Sequence, residues 1–237
     1  MKAYGKLFLI PVPITQEDGI QQIPEYNLRI ISGLNHFIVE DEKTARRFLK
    51  LSGFTDISKA ELELLNEHTK KENVRELLQP LLLGHNIGLM SDAGCPGIAD
   101  PGTNLVTLVH QRGMEVIPLA GPSAIVLSIM SSGFNSQNFA FVGYLPIEKT
   151  EKIKKIKELE KLAIKSKQAQ FFIETPYRNE QLLEVLLTAL HPQTLLFIGK
   201  NLLSKNQFIK SAVVGEWIKG IKPLLGKIPV VFGIYSR

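Results

Sequence analysis

The sequence predicts an α/β protein built from two domains, residues 1–119 and 120–237. Three observations carry this expectation. Short apolar runs that suit strands alternate with stretches that suit helices, which is the cadence of a parallel sheet with helical crossovers. At 237 residues the chain can fill one large α/β core or two of roughly half that size. The composition shifts near Leu119–Pro122, where a Gly-Pro-Ser group follows the last strand of the first alternating series.

In chain order, Leu7–Ile10 is a short apolar strand stopped by Pro11 and Pro13. His36–Glu40 reads as a second strand and runs into DEKTARRFLKLSG, a helix that stops near Gly53. A helix is expected from Lys70 to Leu83, ended by Gly84, and then a strand at Ile87–Met90. A loop rich in Gly, Pro and Asp precedes a helix at Asn104–Arg112, closed by Gly113, and Glu115–Leu119 is the next strand. Pro122 stands where a helix begins, and Ser123–Met130 reads as a tightly buried apolar helix. Phe139–Tyr144 is a strand, and Glu148–Lys167 is a long helix whose Ile153, Ile156, Leu159 and Ala163 form one stripe. After a strand at Ala169–Glu174, Thr175–Pro176 supplies an N-cap and a first-turn proline for a helix through Leu190. Strands at Leu195–Gly199, Gln207–Val214 and Pro229–Tyr235 complete the series.

With 44% hydrophobic and 22% charged residues the chain has the make-up of a globular protein rather than a disordered or fibrous one. No apolar run approaches the ~18 residues of a membrane span, and MKAYGKLFLIPVP is too short and too proline-rich for a signal peptide, so a cytoplasmic protein is expected. The single cysteine, Cys95, excludes an internal disulfide and a CxxC metal site, and the five histidines lack HExxH spacing. No GxSxG elbow is present. No metal is expected. Charge is uneven: residues 1–144 hold 12 Lys+Arg against 15 Asp+Glu, a net −3, whereas residues 145–237 hold 16 against 8, a net +8. Such a balance suits either an anionic partner such as nucleic acid or simply well-solvated helices.

Chemistry concentrates in a few segments. SDAGCPGIADPG, residues 91–102, packs three glycines, two prolines and two aspartates directly after a strand. Ligands of open α/β sheets bind beyond the carboxyl ends of strands, and Asp92 is placed to accept hydrogen bonds from amine or hydroxyl groups. The density of turn residues favours a binding loop over a plain turn, and the absence of a following lysine excludes a Walker loop. LAGPSA, residues 119–124, opens a helix whose free amides suit a polar ligand or a simple cap. ETPYRN, residues 174–179, fits a capping group with an i,i+4 ion pair between Glu174 and Arg178. In VEDEKTARRF, Glu40 and Asp41 end a strand at a helix N-terminus.

Taken in order, SDAGCPGIADPG, PLAGPSA, FAFVGYLP and ETPYR resemble the tetrapyrrole methylase superfamily of S-adenosylmethionine-dependent methyltransferases. Within it the chain is most similar to the group that methylates a ribose 2′-hydroxyl of small-subunit ribosomal RNA; VEDEKTARRFL and LNEH, residues 65–68, look like segments of that group. The resemblance implies two α/β domains with a cofactor cleft between them, a homodimer and an RNA partner. It implies cofactor contacts at Pro11, Pro13, Ile14, Asp92, Gly94, Cys95, Ser123, Ala124, Tyr144, Leu145 and Pro176. A ribose hydroxyl needs a base, and Glu40, Asp41, Asp100 and Glu174 are the candidates. Departures fall at VPITQED after the first strand, at the tyrosine of Pro176–Arg178, at GKNLLSK in residues 199–205, and in an end at Arg237 without the extension many members carry. They keep two other readings in view: methylation of a small tetrapyrrole, and a non-catalytic module that binds S-adenosylmethionine.

Overall fold

The computed structural model describes residues 4–15, 19–54, 56–70 and 73–236. The chain divides into two compact units, Met1–Ser123 and Ala124–Arg237. Residues 16–18 of the VPITQED segment, and 71–72 of the helix expected at 70–83, lie outside the described residues.

The first unit runs β1 (Leu7–Leu9), α1 (Glu25–Ser32), β2 (His36–Val39), α2 (Glu42–Leu51), β3 (Glu61–Leu64), α3 (Gln79–Leu82), β4 (Ile87–Met90), α4 (Gly102–Gln111) and β5 (Val116–Pro118). Its strands form one sheet in the order β3-β2-β4-β1-β5, parallel throughout. Helices cover both faces. Ile31 of α1 and Ala45, Phe48 and Leu49 of α2 pack with Phe8, Phe37 and Val39 on one side. Leu81 of α3 and Leu105 and Val109 of α4 pack with Leu7, Ile38, Ile87 and Leu89 on the other. The chain leaves β1 toward β2 on one side and leaves β4 toward β5 on the other, so the carboxyl ends of β1 and β4 border the switch point where open α/β sheets bind ligands.

Two elements of this unit escape the sequence reading, α1 and β3, as does the helix Val214–Lys219 of the second unit. Pro24 stands at the N-cap of α1, and β3 alternates Glu and Leu at an exposed sheet edge. The single helix expected at 70–83 is instead a 3-10 segment, Asn73–Leu78, followed by the short α3. Pro80 has no N–H to give to the carbonyl of Glu76, so the i→i−4 ladder breaks there.

The second unit runs α5 (Ala124–Ser132), β6 (Phe139–Tyr144), α6 (Lys149–Ser166), β7 (Ala169–Ile173), α7 (Asn179–Ala189), β8 (Leu195–Lys200), β9 (Phe208–Val213), α8 (Val214–Lys219) and β10 (Val230–Tyr235). Its sheet has the order β6-β7-β10-β8-β9, and only β6 and β7 are parallel. The connection 201–207 between β8 and β9 is too short for a crossover, which forces an antiparallel pair. Ile156 and Leu159 of α6, Leu182 and Leu186 of α7 and Trp217 of α8 fill one face against Phe172, Leu196, Ile198 and Phe232. Trp217 donates its indole N–H to the Leu196 carbonyl at 3.0 Å.

The expectation of a tightly buried helix near Ser123–Met130 is corrected. In α5 only Ser128 and Ser132 are buried, while Val126 and Met130 are 53% and 75% exposed. Ile125 and Ile129 pack against the Phe134, Phe171, Phe197 and Val231 cluster. A helix apolar all round that lies on one sheet face buries only one stripe. Among the described residues no helix is long and apolar enough to cross a membrane.

Candidate functional site

Three loops of the first unit meet at the carboxyl ends of β1, β4 and β5. The segment after β1 and the 91–102 loop are joined by a two-residue bridge: Val12 donates to the Gly94 carbonyl at 2.9 Å, and Gly94 donates back to Val12 at 3.1 Å. Gly94 has φ +75°, and a Cβ there would stand 3.4 Å from Ile14 and 3.6 Å from the Pro122 carbonyl. The Cys95 thiol points at that same carbonyl, 3.4 Å away, and burial pushes its pKa up, the opposite of an activated nucleophile. At Gly121 a Cβ would lie 2.3 Å from Cβ of Pro11, so the loop after β5 approaches the loop after β1 more closely than any side chain allows. Thus Pro11, Ile14, Gly94, Cys95, Gly121 and Pro122 come together. Pro13 packs beside them on Gly19, where an added Cβ would be 2.7 Å away.

Two polar residues that sequence reasoning missed hold these loops. Gln22 accepts from the Ile14 N–H at 3.1 Å and donates to the Thr15 hydroxyl at 3.0 Å. Asn27, buried in α1, donates to the Ala120 carbonyl at 2.7 Å. A lone amide in a short helix carries no sequence signal of such a role. The sole clue is that Asn27 falls beside the apolar residues of a helix that was itself unread.

The carboxylates around this point separate into different kinds. Glu40, directly after β2, accepts from the Asp92 N–H through Oε2 at 3.1 Å, which leaves Oε1 without a hydrogen-bond partner among the described residues. Burial raises its pKa; the Asp92 amide opposes this, and the charges of Asp92, Asp100 and Glu67 add to the rise. Asp92 is raised too, by burial and by Asp41. Asp100 is raised by burial against the pull of backbone amides: it accepts from Gly97 N–H at 2.8 and 2.9 Å and from Gly102 N–H at 2.7 Å, which ties the 91–102 loop to the start of α4. Inside that loop Ala99 sits at φ +61°, a strained position for a residue with a Cβ. Asp41 is the N-cap of α2; it accepts from Thr44 N–H at 2.8 Å, and that bond lowers its pKa.

The other expected site residues belong to the second unit. Ala124 begins α5. Tyr144 ends β6 in parallel register with Ile173 of β7, so it shares a sheet end with the Glu174–Pro176 segment. Tyr144 is exposed, whereas the Leu145 side chain is committed to the core. Pro176 opens a 3-10 turn, Pro176–Arg178, and α7 starts only at Asn179. The expected Thr175 side-chain cap is absent, because the Thr175 hydroxyl turns to Glu174 at 3.4 Å.

Glu174 stands apart from the other three candidate bases. Its side chain is 0% exposed and meets the ammonium of Lys152 at 2.9 Å through Oε2. Oε1 accepts from the Arg178 guanidinium, at 3.0 Å from Nε and 2.8 Å from Nη2, and from Thr175 N–H at 2.9 Å. Burial alone would raise its pKa, but these partners outweigh it and hold the carboxyl below its ordinary value. A sequestered carboxylate held as an anion is a poor proton acceptor. The ion pair expected between Glu174 and Arg178 is present. Lys152, one of eight lysines from Lys149 to Lys167, is not at the surface as that run suggests.

No family model matches the chain. The chain is 31% identical over 231 residues to "Ribosomal RNA small subunit methyltransferase I" of Thermotoga maritima, covering 96% of this chain and 97% of that protein. The Vibrio cholerae protein of the same name is 30% identical over 215 residues, 91% of this chain and 71% of its own. That of Escherichia coli O157:H7 is 28% identical over 218 residues, 92% and 72%. Among solved structures, the crystal structure of the methyltransferase CobJ aligns with a TM-score of 0.65 at 14% identity, covering 99% of this chain and 95% of that one. That likeness concerns the fold alone.

Proposed function

The chain belongs to the ribosomal RNA small subunit methyltransferase I family, and from that premise we propose that it transfers a methyl group from S-adenosylmethionine to a ribose 2′-hydroxyl of small-subunit ribosomal RNA. It is a methyltransferase; the cofactor, the acceptor atom and the residues that act are the proposal. The observation that carries it is the meeting of three loops at the switch point of the parallel sheet, beside the raised carboxyls of Glu40 and Asp92.

The residues there suit such a cofactor. Its ammonium, ribose hydroxyls and sulfonium call for carboxylates and backbone carbonyls, and Asp92 with the Gly94 and Pro122 turns supplies both types. Pro11, Pro13, Ile14, Gly94, Cys95 and Ser123 would hold it on this side, with Asp92 accepting from amine or hydroxyl. Ala124, Tyr144, Leu145 and Pro176 are the contacts proposed on the second unit. When bound, S-adenosylmethionine supplies a methyl group on a positively charged sulfur. The protein's own share is alignment and a base. Alignment of reacting groups can contribute about 7–11 kcal/mol at best. Glu40 is the residue proposed to take the hydroxyl proton, at Oε1, since its raised pKa brings it nearer to working pH than an exposed carboxylate. Asp41 and Asp100 are occupied with backbone amides and Glu174 with two cations.

The family resemblance also supports a homodimer at work in the cytoplasm; light scattering of the purified protein tests the first. The activity itself is tested by methyl transfer from radiolabelled S-adenosylmethionine to small ribosomal subunits from cells lacking this gene, followed by nuclease digestion. Label in a 2′-O-methylated nucleotide is the expected result. Label on a base would overturn the acceptor atom, and no label with cofactor binding intact would turn the reading toward a small tetrapyrrole or a silent binding module.

A further inference from the structure

We propose that Arg178 and Tyr177 form an RNA-contacting pair on the second unit, Arg178 taking a backbone phosphate and Tyr177 a stacked base, with Glu174 and Lys152 as the positioning residues beneath them. The inference rests on the reading of the chain as an RNA methyltransferase and adds the residues that grip the substrate.

The argument begins with the burial of Lys152 and Glu174, whose side chains are 3% and 0% exposed. Burying such a pair gives little net stability, because the desolvation of both ions offsets their attraction, and apolar side chains of similar volume commonly do as well. What the pair provides here is a fixed anion at the end of β7. Its Oε1 engages the Nε and Nη2 edge of Arg178 at 3.0 and 2.8 Å, so the guanidinium plane is set before any ligand arrives. Lys152 neutralises Glu174 from the other side, through Oε2. The three residues together therefore present one net positive charge, on the one member that reaches the surface: the Arg178 side chain is 21% exposed.

Beside it, Tyr177 is 68% exposed. The Arg178 guanidinium carbon lies 5.1 Å from the centre of its ring, and Nη1 donates to its hydroxyl at 3.3 Å. The guanidinium thus lies against the ring, while most of the tyrosine remains open to solvent. A planar cation clamped on its inner edge, beside an exposed aromatic ring, combines the two elements by which proteins hold single-stranded RNA: a donor fork for phosphate and a stacking platform. The net +8 of residues 145–237 places this pair in the half of the chain whose charge favours a polyanion.

Arg178→Ala tests the pair in a folded protein, since it leaves Lys152 and Glu174 balanced against each other. In methyl transfer to small subunits, Arg178→Ala is expected to raise KM about tenfold or more with kcat nearly unchanged. Its salt slope for RNA binding should fall by about one unit with cofactor affinity at the wild-type value, and its melting temperature should drop modestly because Glu174 loses two bonds but keeps Lys152. Arg178→Lys should restore the salt slope but only part of the KM, because it keeps the charge and loses the fork. Tyr177→Phe should behave nearly as wild type and Tyr177→Ala should raise KM about tenfold. The paired replacement Lys152→Met with Glu174→Met should fold, raise KM as Arg178→Ala does, and add little to it when the two are combined. Wild-type KM and salt slope in both Arg178→Ala and Tyr177→Ala would overturn the inference while leaving the RNA methyltransferase reading intact. A loss of cofactor affinity in Arg178→Ala would overturn it by moving the pair to the cofactor. A wild-type protein that neither binds nor methylates RNA would overturn both.

Discussion

Glu40, Asp92 and Asp100 of the first unit and Glu174 of the second are shifted in opposite directions. In the first, Glu40 and Asp100 are half-buried and accept from backbone N–H groups, Asp92 is more open with the charge of Asp41 nearby, and all three are raised. In the second, Glu174 is withdrawn further, yet Lys152 and Arg178 hold it lowered. Burial acts in the same direction on all four, and the presence of cations decides the outcome. A raised carboxyl is poised to exchange a proton, whereas a lowered and paired one is a fixed anion. On the function proposed above, the first unit would supply the proton acceptor and the second a positioning anion.

The comparison breaks most sharply at Glu40. Glu40→Gln keeps the shape and removes the base, so kcat should fall about 10²–10⁴-fold while the fold is kept. The wild-type rate should rise with pH through the raised Glu40 pKa, and the variant should lose that limb. Steady-state methyl transfer across pH checks both, and an unchanged rate would move the base elsewhere.

Glu174→Ala tests the other side. It strands the buried Lys152 ammonium, and stability measured by urea unfolding should fall by about 3–5 kcal/mol. The two kinds of carboxylate also give opposite pH responses. Glu174 is lowered in the folded state, so its contribution is present above its unfolded pKa and is lost as pH falls through the folded value. Glu40, Asp92 and Asp100 are raised, so the folded protein binds more protons than the unfolded chain, and their effect on stability becomes more favourable as pH falls from the raised values to the unfolded ones. Unfolding of the Lys152→Met and Glu174→Met pair across acidic pH should lose the Glu174 contribution and retain the others, the raised groups and the lowered helix cap Asp41 alike.

In the first unit the sheet and the main loop were legible, although α1, β3 and the break at Pro80 were not. The parallel sheet follows from alternating runs, and the 91–102 loop announces itself because three glycines, two prolines and two aspartates after a strand fit no regular element. The loop's supports, Gln22 and Asn27, were invisible because each acts through one amide on a distant backbone atom. The second unit misled in several places, two of them instructive. Its mixed sheet depends on β10 lying between β7 and β8, a non-local pairing that no short window encodes. Lys152 looks like its neighbours in a lysine run, although it stands four residues before Ile156, on the stripe that Leu159 and Ala163 continue. A charge on an apolar stripe was the available signal, and it gains meaning only once Glu174 is known to lie opposite.

A smaller change sharpens the role of loop approach. Gly121→Ala places a Cβ 2.3 Å from Pro11 Cβ, and neither the ring nor the adjoining backbone can move far. Overpacking of this kind costs about 1–3 kcal/mol. Cofactor affinity should fall with it, because the loops after β1 and β5 are pushed apart at the proposed site; calorimetric titration with S-adenosylhomocysteine measures this. Unchanged affinity would detach Pro11 and Ser123 from the cofactor.

The smallest expected effect discriminates best, because it separates neighbours. Glu40 and Asp41 are adjacent in sequence, yet Glu40 is raised and Asp41 is lowered by the Thr44 amide it caps. Asparagine caps a helix about as well as aspartate, so Asp41→Asn should leave both stability and kcat near wild type. Asp41→Ala removes the cap and should cost about 1 kcal/mol in urea unfolding, again with kcat maintained. A fall in kcat for Asp41→Asn as large as that for Glu40→Gln would make the exposed residue the proton acceptor. Hydrogen bonding, rather than partial burial, would then be what selects the base in the first unit.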